Sequence, residues 1–318
     1  MSCYNGGKKR KSSKEVSMDY ALIGLSVVLF GGSFLCSKLY GKEMGSGLYA
    51  TAVTMLLSGS VGIVALLLMN GFRLEVTVFT LVMAALCTLN SIGFTVCSLK
   101  SFGLINLSLY SLFSMLGGMA LPFVVGILFF HEPLTLSGGI CFLLIVAALC
   151  CTVEKGEKKR GGFLYYAGIF TLNGMSGVLS KIFVAAPFEK TGAESYSIWA
   201  SILSVTVAAV LLLLAMRREH PKLTLSAALF SVGGGVVNRI GNLILVITLV
   251  TVPASVQYPL VTAGTIAVCT AISFFMGQKP RRGECVAVGL AVFGILVQIL
   301  LPIVGKAMAL PEGILGIL

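Results

Sequence analysis

The stretches "LFGGSFLCSKLY" (29–40) and "LNGMSGVLSKIF" (172–183) carry Leu, Gly, Ser, Ser and Lys at matching places. A second pair follows in the same order, "LNSIG" (89–93) against "VNRIG" (237–241), sharing Asn, Ile and Gly. At nearly the same spacing Ser108 meets Ser255, Gly117 meets Gly264, and Ala120 meets Ala267. There "FFHEPLTL" (129–136) also stands opposite "MGQKPRRG" (276–283). Each match is weak alone. Ordered matches at an almost constant spacing mark an internal duplication.

Composition says what is duplicated. The 318 residues are 57% hydrophobic and only 11% charged, with a mean hydropathy of +1.00. A soluble domain needs about 25% charged residues to cover its surface, so the chain reads as a polytopic membrane protein. The formal charge of +11 is then no signature of nucleic-acid binding, because the basic residues fall in tails and connections, where they act as topology signals. Nine cysteines, most of them inside apolar runs and none in a C-x-x-C pair, read as small packing residues. His131 and His220 stand far apart at the ends of apolar runs, and neither a P-loop nor a G-x-S-x-G elbow is present. No metal, no cofactor and no catalytic constellation is therefore expected. The first apolar run is too long for a signal peptide and lacks an A-x-A exit, so it reads as a retained helix.

Spanning ~30 Å of hydrocarbon takes ~20 apolar residues in a helix. Cuts at charged and Pro/Gly-rich breaks leave ten candidate spans, near 20–40, 46–69, 74–98, 104–130, 134–153, 162–185, 194–215, 224–249, 253–276 and 284–304. Connections as short as "NGFRLE" and "GQKPRR" require successive spans to run antiparallel. The expected organisation is a basic tail (1–18), a first five-helix repeat (19–153), a basic linker (154–161), a second repeat (162–304) and a short tail (305–318). Five is odd, so the second copy enters the membrane from the opposite side. The expected fold is an all-α integral membrane protein of ten transmembrane helices in two inverted five-helix repeats. Transporters use this plan with a site at the midplane between repeats.

Two helix-loop-helix stretches carry a resemblance: "SMLGGMALPFVVGILFFHEPLTLSGGICFLLIVAALC" (114–150) and "VPASVQYPLVTAGTIAVCTAISFFMGQKPRRGECVAVGLAVFGIL" (252–296). Together with the five-plus-five repeat they resemble the ten-helix EamA-like branch of the drug/metabolite transporter superfamily, from about residue 18 to 304. The family pattern there is a Pro-containing helix, an apolar run, "G-E-x-L-T" and a Gly-rich helix. The first copy keeps the acid as Glu132 in "HEPLT", whereas the second has Gln278 in "GQKPR". The resemblance implies transport of small metabolites such as amino acids, nucleotide sugars, sugar phosphates or lipophilic cations.

All twelve carboxylates fall in tails, connections or span ends, so nothing matches the membrane-embedded Glu of the small multidrug relatives. Arg239 is the mid-span charge. Placing it there costs ~2.5–3.5 kcal/mol on insertion scales, and such residues usually face the bundle interior. Asn238 and Asn242 are i,i+4 neighbours beside it, and Gly233, Gly234 and Gly235 permit close backbone approach or a local break. Arg239, Asn238 and Asn242 are candidates for substrate contact, with structural anchoring by Arg239 as the alternative. Asn90, the repeat mate of Asn238, and Asn173, on one face with Ser176 and Ser180, are further candidates against ordinary interhelical hydrogen bonding. Tyr110, Gln257 and Tyr258 lie in helices that border the cavity in the resembled family; the alternative is interfacial anchoring, which Trp199 also suits. Lys38 and Lys181 are repeat mates near span ends. They snorkel to the headgroups or act as paired gate cations. Gly117, Gly118, Gly264, Ser114, Pro122 and Pro259 read as scaffold.

The expected function is alternating-access transport of a small polar organic solute bearing an anionic or carboxylate group. A multidrug exporter of cationic lipophiles and a lipid-linked sugar flippase are the transport alternatives. A membrane-embedded enzyme lacks a clustered catalytic set here, and a sensor or scaffold lacks a sizeable soluble segment. The expected partners are a small-molecule substrate and the bilayer, not nucleic acid, with a monomer as the simplest state. The expected location is the plasma membrane of a bacterium. Loop Lys and Arg are more numerous on the side away from the N-terminus, whereas the charges before the first span and the family habit place the termini in the cytoplasm. The latter is the orientation expected here.

Overall fold

The computed structural model describes residues 13–105, 107–130, 136–152, 162–216, 223–249, 254–278 and 282–307. The connection "HEPLT", the linker 154–161 and both tail ends lie outside the described residues. Among the described residues there are ten α-helices and no strand: α1 (Ser13–Met44), α2 (Leu48–Met69), α3 (Val78–Phe102), α4 (Leu107–Phe130), α5 (Leu136–Thr152), α6 (Gly162–Ala185), α7 (Ala193–Met216), α8 (Leu225–Leu249), α9 (Ala254–Phe275) and α10 (Arg282–Ala307). Seven of them, α1 to α4 and α6 to α8, contain segments long and apolar enough to cross a membrane. The described apolar parts of α5, α9 and α10 are shorter: Leu136–Ala148, Leu260–Phe275 and Cys285–Gly294. Large apolar side chains point outward all along the chain, among them Val78 at 80% and Phe275 at 87% exposure. This is the outer surface of a multi-pass membrane protein, because lipid, not water, favours it.

Local chemistry sets the helix ends. Gly45 (φ +75) and Gly277 (φ +74) take the left-handed conformation just past α1 and α9, which glycine adopts without a Cβ penalty. Thr77 caps α3 by accepting from the Thr80 amide at 3.2 Å. Thr224 does the same for α8 through the Ala227 amide at 3.3 Å. Trp199 donates its indole N–H to the Glu75 carbonyl at 2.8 Å, which ties α7 to the α2–α3 connection.

The main pairings are α1 on α8 and α9, α4 on α6 and α9, α2 on α7 and α8, α3 on α6 and α7, and α5 on α10. Glycines permit the closest of them. A Cβ on Gly117 of α4 would lie 2.2 Å from the Phe170 carbonyl oxygen of α6, and one on Gly264 of α9 would lie 2.8 Å from Val27 of α1. A Cβ on Gly31 would lie 2.5 Å from Val268, and one on Gly174 would lie 2.4 Å from Leu121. On α3 and α8, Gly93 faces Leu172 at 3.2 Å, while Gly241 faces Phe30 at 3.4 Å and Leu29 at 3.6 Å. Pro122 sits inside an uninterrupted α4.

Candidate functional site

The glycine triplet of α8 leaves that helix unbroken. Of the two expectations for it, close approach is the one observed. A Cβ on Gly234 would lie 3.0 Å from the Cys36 Cβ of α1, and one on Gly235 would lie 3.0 Å from the Ser58 Cα of α2. Gly233 faces open space. With α8 drawn against α1 and α2, the residues one turn further on face inward.

There the three helices, with α3 and the start of α4, line a partly open cavity of about 210 Å³. It lies toward the C-terminal ends of α1 and α3 and the N-terminal ends of α2, α4 and α8. Its polar lining comprises Ser33, Ser37, Tyr40, Thr54, Ser58, Thr95, Ser98, Tyr110, Ser231, Asn238 and Arg239. Phe34, Phe94, Phe102 and Phe230 supply most of the apolar wall, and among the described residues no Asp or Glu lines it. At the end nearest the centre of α8, the guanidinium of Arg239 lies over Gly62 of α2, where a Cβ would come within 2.8 Å of it. Among the described residues Arg239 has neither a hydrogen-bond acceptor nor an ion-pair partner. A half-buried cation in that state attracts an anion from the cavity, in a medium where such contacts are strengthened.

The hydroxyls are anchored differently. Ser33 donates to the Gly234 carbonyl at 3.1 Å, Ser37 to Ser33 at 2.9 Å, Ser58 to Thr54 at 2.6 Å and Thr95 to Ser91 at 2.8 Å. Thr54 and Ser231 share a hydrogen bond at 3.0 Å. Tyr110 borders the cavity, yet it is 2% exposed. Its hydroxyl is held by Ser98 at 2.9 Å, and its ring is wedged between Phe34 and Phe102. Toward the helix ends the hydroxyl of fully buried Tyr40 donates to the Ala50 carbonyl at 2.6 Å, in a layer with Leu99 and Ala227.

The structure brings Arg239, Asn238 and Tyr110 together around the cavity and keeps Asn242, Asn90, Asn173, Lys38 and Lys181 out of its lining. Asn242, expected on the Arg239 face, is exposed outside the cavity and donates to the Asn238 carbonyl and side chain at 2.8 and 3.1 Å. The helical rotation between positions three apart is enough to carry it out. Asn90 gives its amide N–H to the Leu172 carbonyl at 2.9 Å and is nearly buried. Asn173 donates to the Ser114 carbonyl at 2.6 Å, against Gly118. Both amides are interhelical ties. Lys38 does not snorkel outward. It is 7% exposed and donates to the Gln278 side chain at 2.5 Å, because α9 ends beside it. Lys181 donates to the Pro122 carbonyl at 3.2 Å. Gln257 and Tyr258 belong to α9, but their side chains lie outside the described residues. The serines and threonines of the lining and Gly62 were missing from the sequence reading; the i,i+4 pair Ser33 and Ser37, repeated as Ser176 and Ser180, was the available signal.

No family model matches the chain, and no curated protein matches it. Solved structures do. One described only as "Crystal structure of protein" superposes with a TM-score of 0.55 at 17% identity, covering 88% of this chain and 96% of that chain. At that identity the likeness concerns the fold alone.

Proposed function

We propose that the chain is a secondary transporter that moves a small polar organic anion by alternating access, built as ten spans in two inverted repeats of the EamA-like kind. The single observation that carries the reading is Arg239, a mid-span cation without an acid partner among the described residues, at the end of a hydroxyl-lined cavity. A cationic substrate would meet that fixed charge with no carboxylate in the lining to offset it, which disfavours the multidrug alternative.

Symmetry of packing supports the repeat. Under exchange of α1 to α5 with α6 to α10, the α1–α9 pairing becomes α6–α4, α1–α8 becomes α6–α3, and α2–α8 becomes α7–α3; all six occur. The glycine contacts exchange residue by residue in the alignment of the two copies: Gly117 on Phe170 with Gly264 on Val27, Gly31 on Val268 with Gly174 on Leu121, and Gly93 on Leu172 with Gly241 on Leu29. Alternating access needs two such half-structures that can trade conformations; an enzyme or a scaffold does not.

Purified protein in sealed liposomes should move a radiolabelled carboxylate or phosphate ester from a metabolite panel, and Arg239→Gln should abolish most of that flux. Equal flux in protein-free vesicles would end the transport reading. The expected place is the bacterial plasma membrane with both termini in the cytoplasm. A reporter fused after residue 160 then lies outside the cell, and cytoplasmic activity of that fusion would reverse the orientation.

A further inference from the structure

Once an anionic group occupies Arg239, the rest of the cavity has its own chemical demand. Four lining hydroxyls already direct their hydrogens at backbone carbonyls: Ser33, Ser37, Ser58 and Thr95. Their oxygens keep lone pairs and present acceptors. We propose that the cavity selects a monoanion bearing several hydroxyl groups, of the sugar-acid or hydroxycarboxylate kind, over zwitterions and over acids with a plain alkyl chain. The proposal rests on the reading of Arg239 as the anion-binding group.

Each rival ligand leaves something unmatched. An alkyl chain desolvates the row of hydroxyl oxygens without giving them a donor, and unsatisfied polar groups are costly to bury. A second anionic group meets lone pairs and no second cation. An ammonium supplies donors, but it brings a second positive charge into a cavity whose fixed charge is already positive and whose lining holds no carboxylate. Neutral hydroxyls donate to those oxygens at no charge cost, while the C–H faces of a polyol rest on Phe34 and Phe94. A volume of about 210 Å³ suits one small metabolite and is smaller than the ~300–1,000 Å³ typical of drug-sized sites.

The test uses the purified full-length protein and three carboxylates of equal carbon count: gluconate, hexanoate and norleucine. Their affinities are measured by calorimetry on wild type, Arg239→Gln and the double variant Ser58→Ala/Thr95→Val, with size-exclusion profiles reporting the fold of each. Wild type should bind gluconate at least ten-fold tighter than the other two, since a site built to hydrogen-bond a hydroxyl rejects analogues lacking it. The double variant should weaken gluconate several-fold and tighten hexanoate, since it removes hydroxyl oxygens an alkyl chain leaves unmatched; Arg239→Gln should weaken both. If hexanoate or norleucine equals gluconate while Arg239→Gln still weakens every probe, hydroxyl selection is wrong and the anion site stands. If Arg239→Gln leaves gluconate binding intact, the anion reading itself is wrong. If none of the three binds wild type, both are overturned.

Discussion

Asn90 of α3 and Asn238 of α8 stand at matching places in the aligned stretches 89–93 and 237–241, and their surroundings diverge. Asn90 is tied to the Leu172 carbonyl and is nearly buried; Asn238 lines the cavity. The next residue is Ser91 in one copy and Arg239 in the other, and four positions after each Asn stand Phe94, which lines the cavity, and Asn242, which is exposed. The glycines around them nevertheless make equivalent contacts in both copies. Packing positions tolerate little change, because a Cβ would enter a neighbouring helix. Side chains facing a cavity have no such constraint. Under the proposed duplication the scaffold stays alike while its inner surface becomes asymmetric, as an asymmetric ligand would require.

The scaffold half of that comparison gives the largest expected effect. A Cβ on Gly117 meets a backbone carbonyl that cannot move without the helix, whereas one on Gly264 meets the side chain of Val27. Gly117→Ala should cost about 3 kcal/mol or prevent folding, and Gly264→Ala about 1–2 kcal/mol. Thermal denaturation in detergent reads both; equal losses would break the claim that backbone contact distinguishes these two mates.

Gly62→Ala sharpens the inner-surface half. Its new methyl group would crowd the far end of a flexible side chain, Arg239, so the protein should fold and lose about ten-fold in anion affinity, equivalent to ~1.4 kcal/mol. Unchanged affinity would mean that the guanidinium position over α2 is immaterial. The smallest effect separates the two asparagines. Asn90→Ala should cost ~0.6–2 kcal/mol of stability without altering affinity, and Asn238→Ala should lower affinity with stability almost unchanged. The reverse assignment, seen in paired melting and binding curves, would remove the distinction.

Much of the scaffold was legible because its signals are one-dimensional. Long apolar runs located ten helices, and Gly117 and Gly264, read as scaffold, fall where helices approach closely. Arg239 was legible because a mid-span guanidinium demands an explanation whatever surrounds it. The hydroxyl lining was not. Serines and threonines in helices bond to the carbonyl four residues back whether they face lipid, protein or a cavity, so Ser58 and exposed Ser60 look alike in sequence. Which of them lines a cavity depends on the rotation of α2 against α8, and that rotation is set by Gly235 and Gly62 acting across helices. Lys38 failed for a similar reason, since its acceptor Gln278 lies at the end of a helix from the other copy.

The most direct test of the account is the anion affinity of purified wild type, Arg239→Lys and Arg239→Gln, measured beside their melting temperatures. A guanidinium fork suits carboxylate or phosphate better than a Lys point charge, and losing a charge-assisted contact costs ~1.5–3 kcal/mol. The account predicts affinity falling from wild type to Arg239→Lys to Arg239→Gln, roughly ten- to a hundred-fold in all. The melting temperature should hold or rise, because Gln removes a half-buried charge that has no protein partner among the described residues. Well-folded Arg239→Gln that binds the anion as tightly as wild type would contradict the account, as would a loss of folding that accounts for the whole loss of binding.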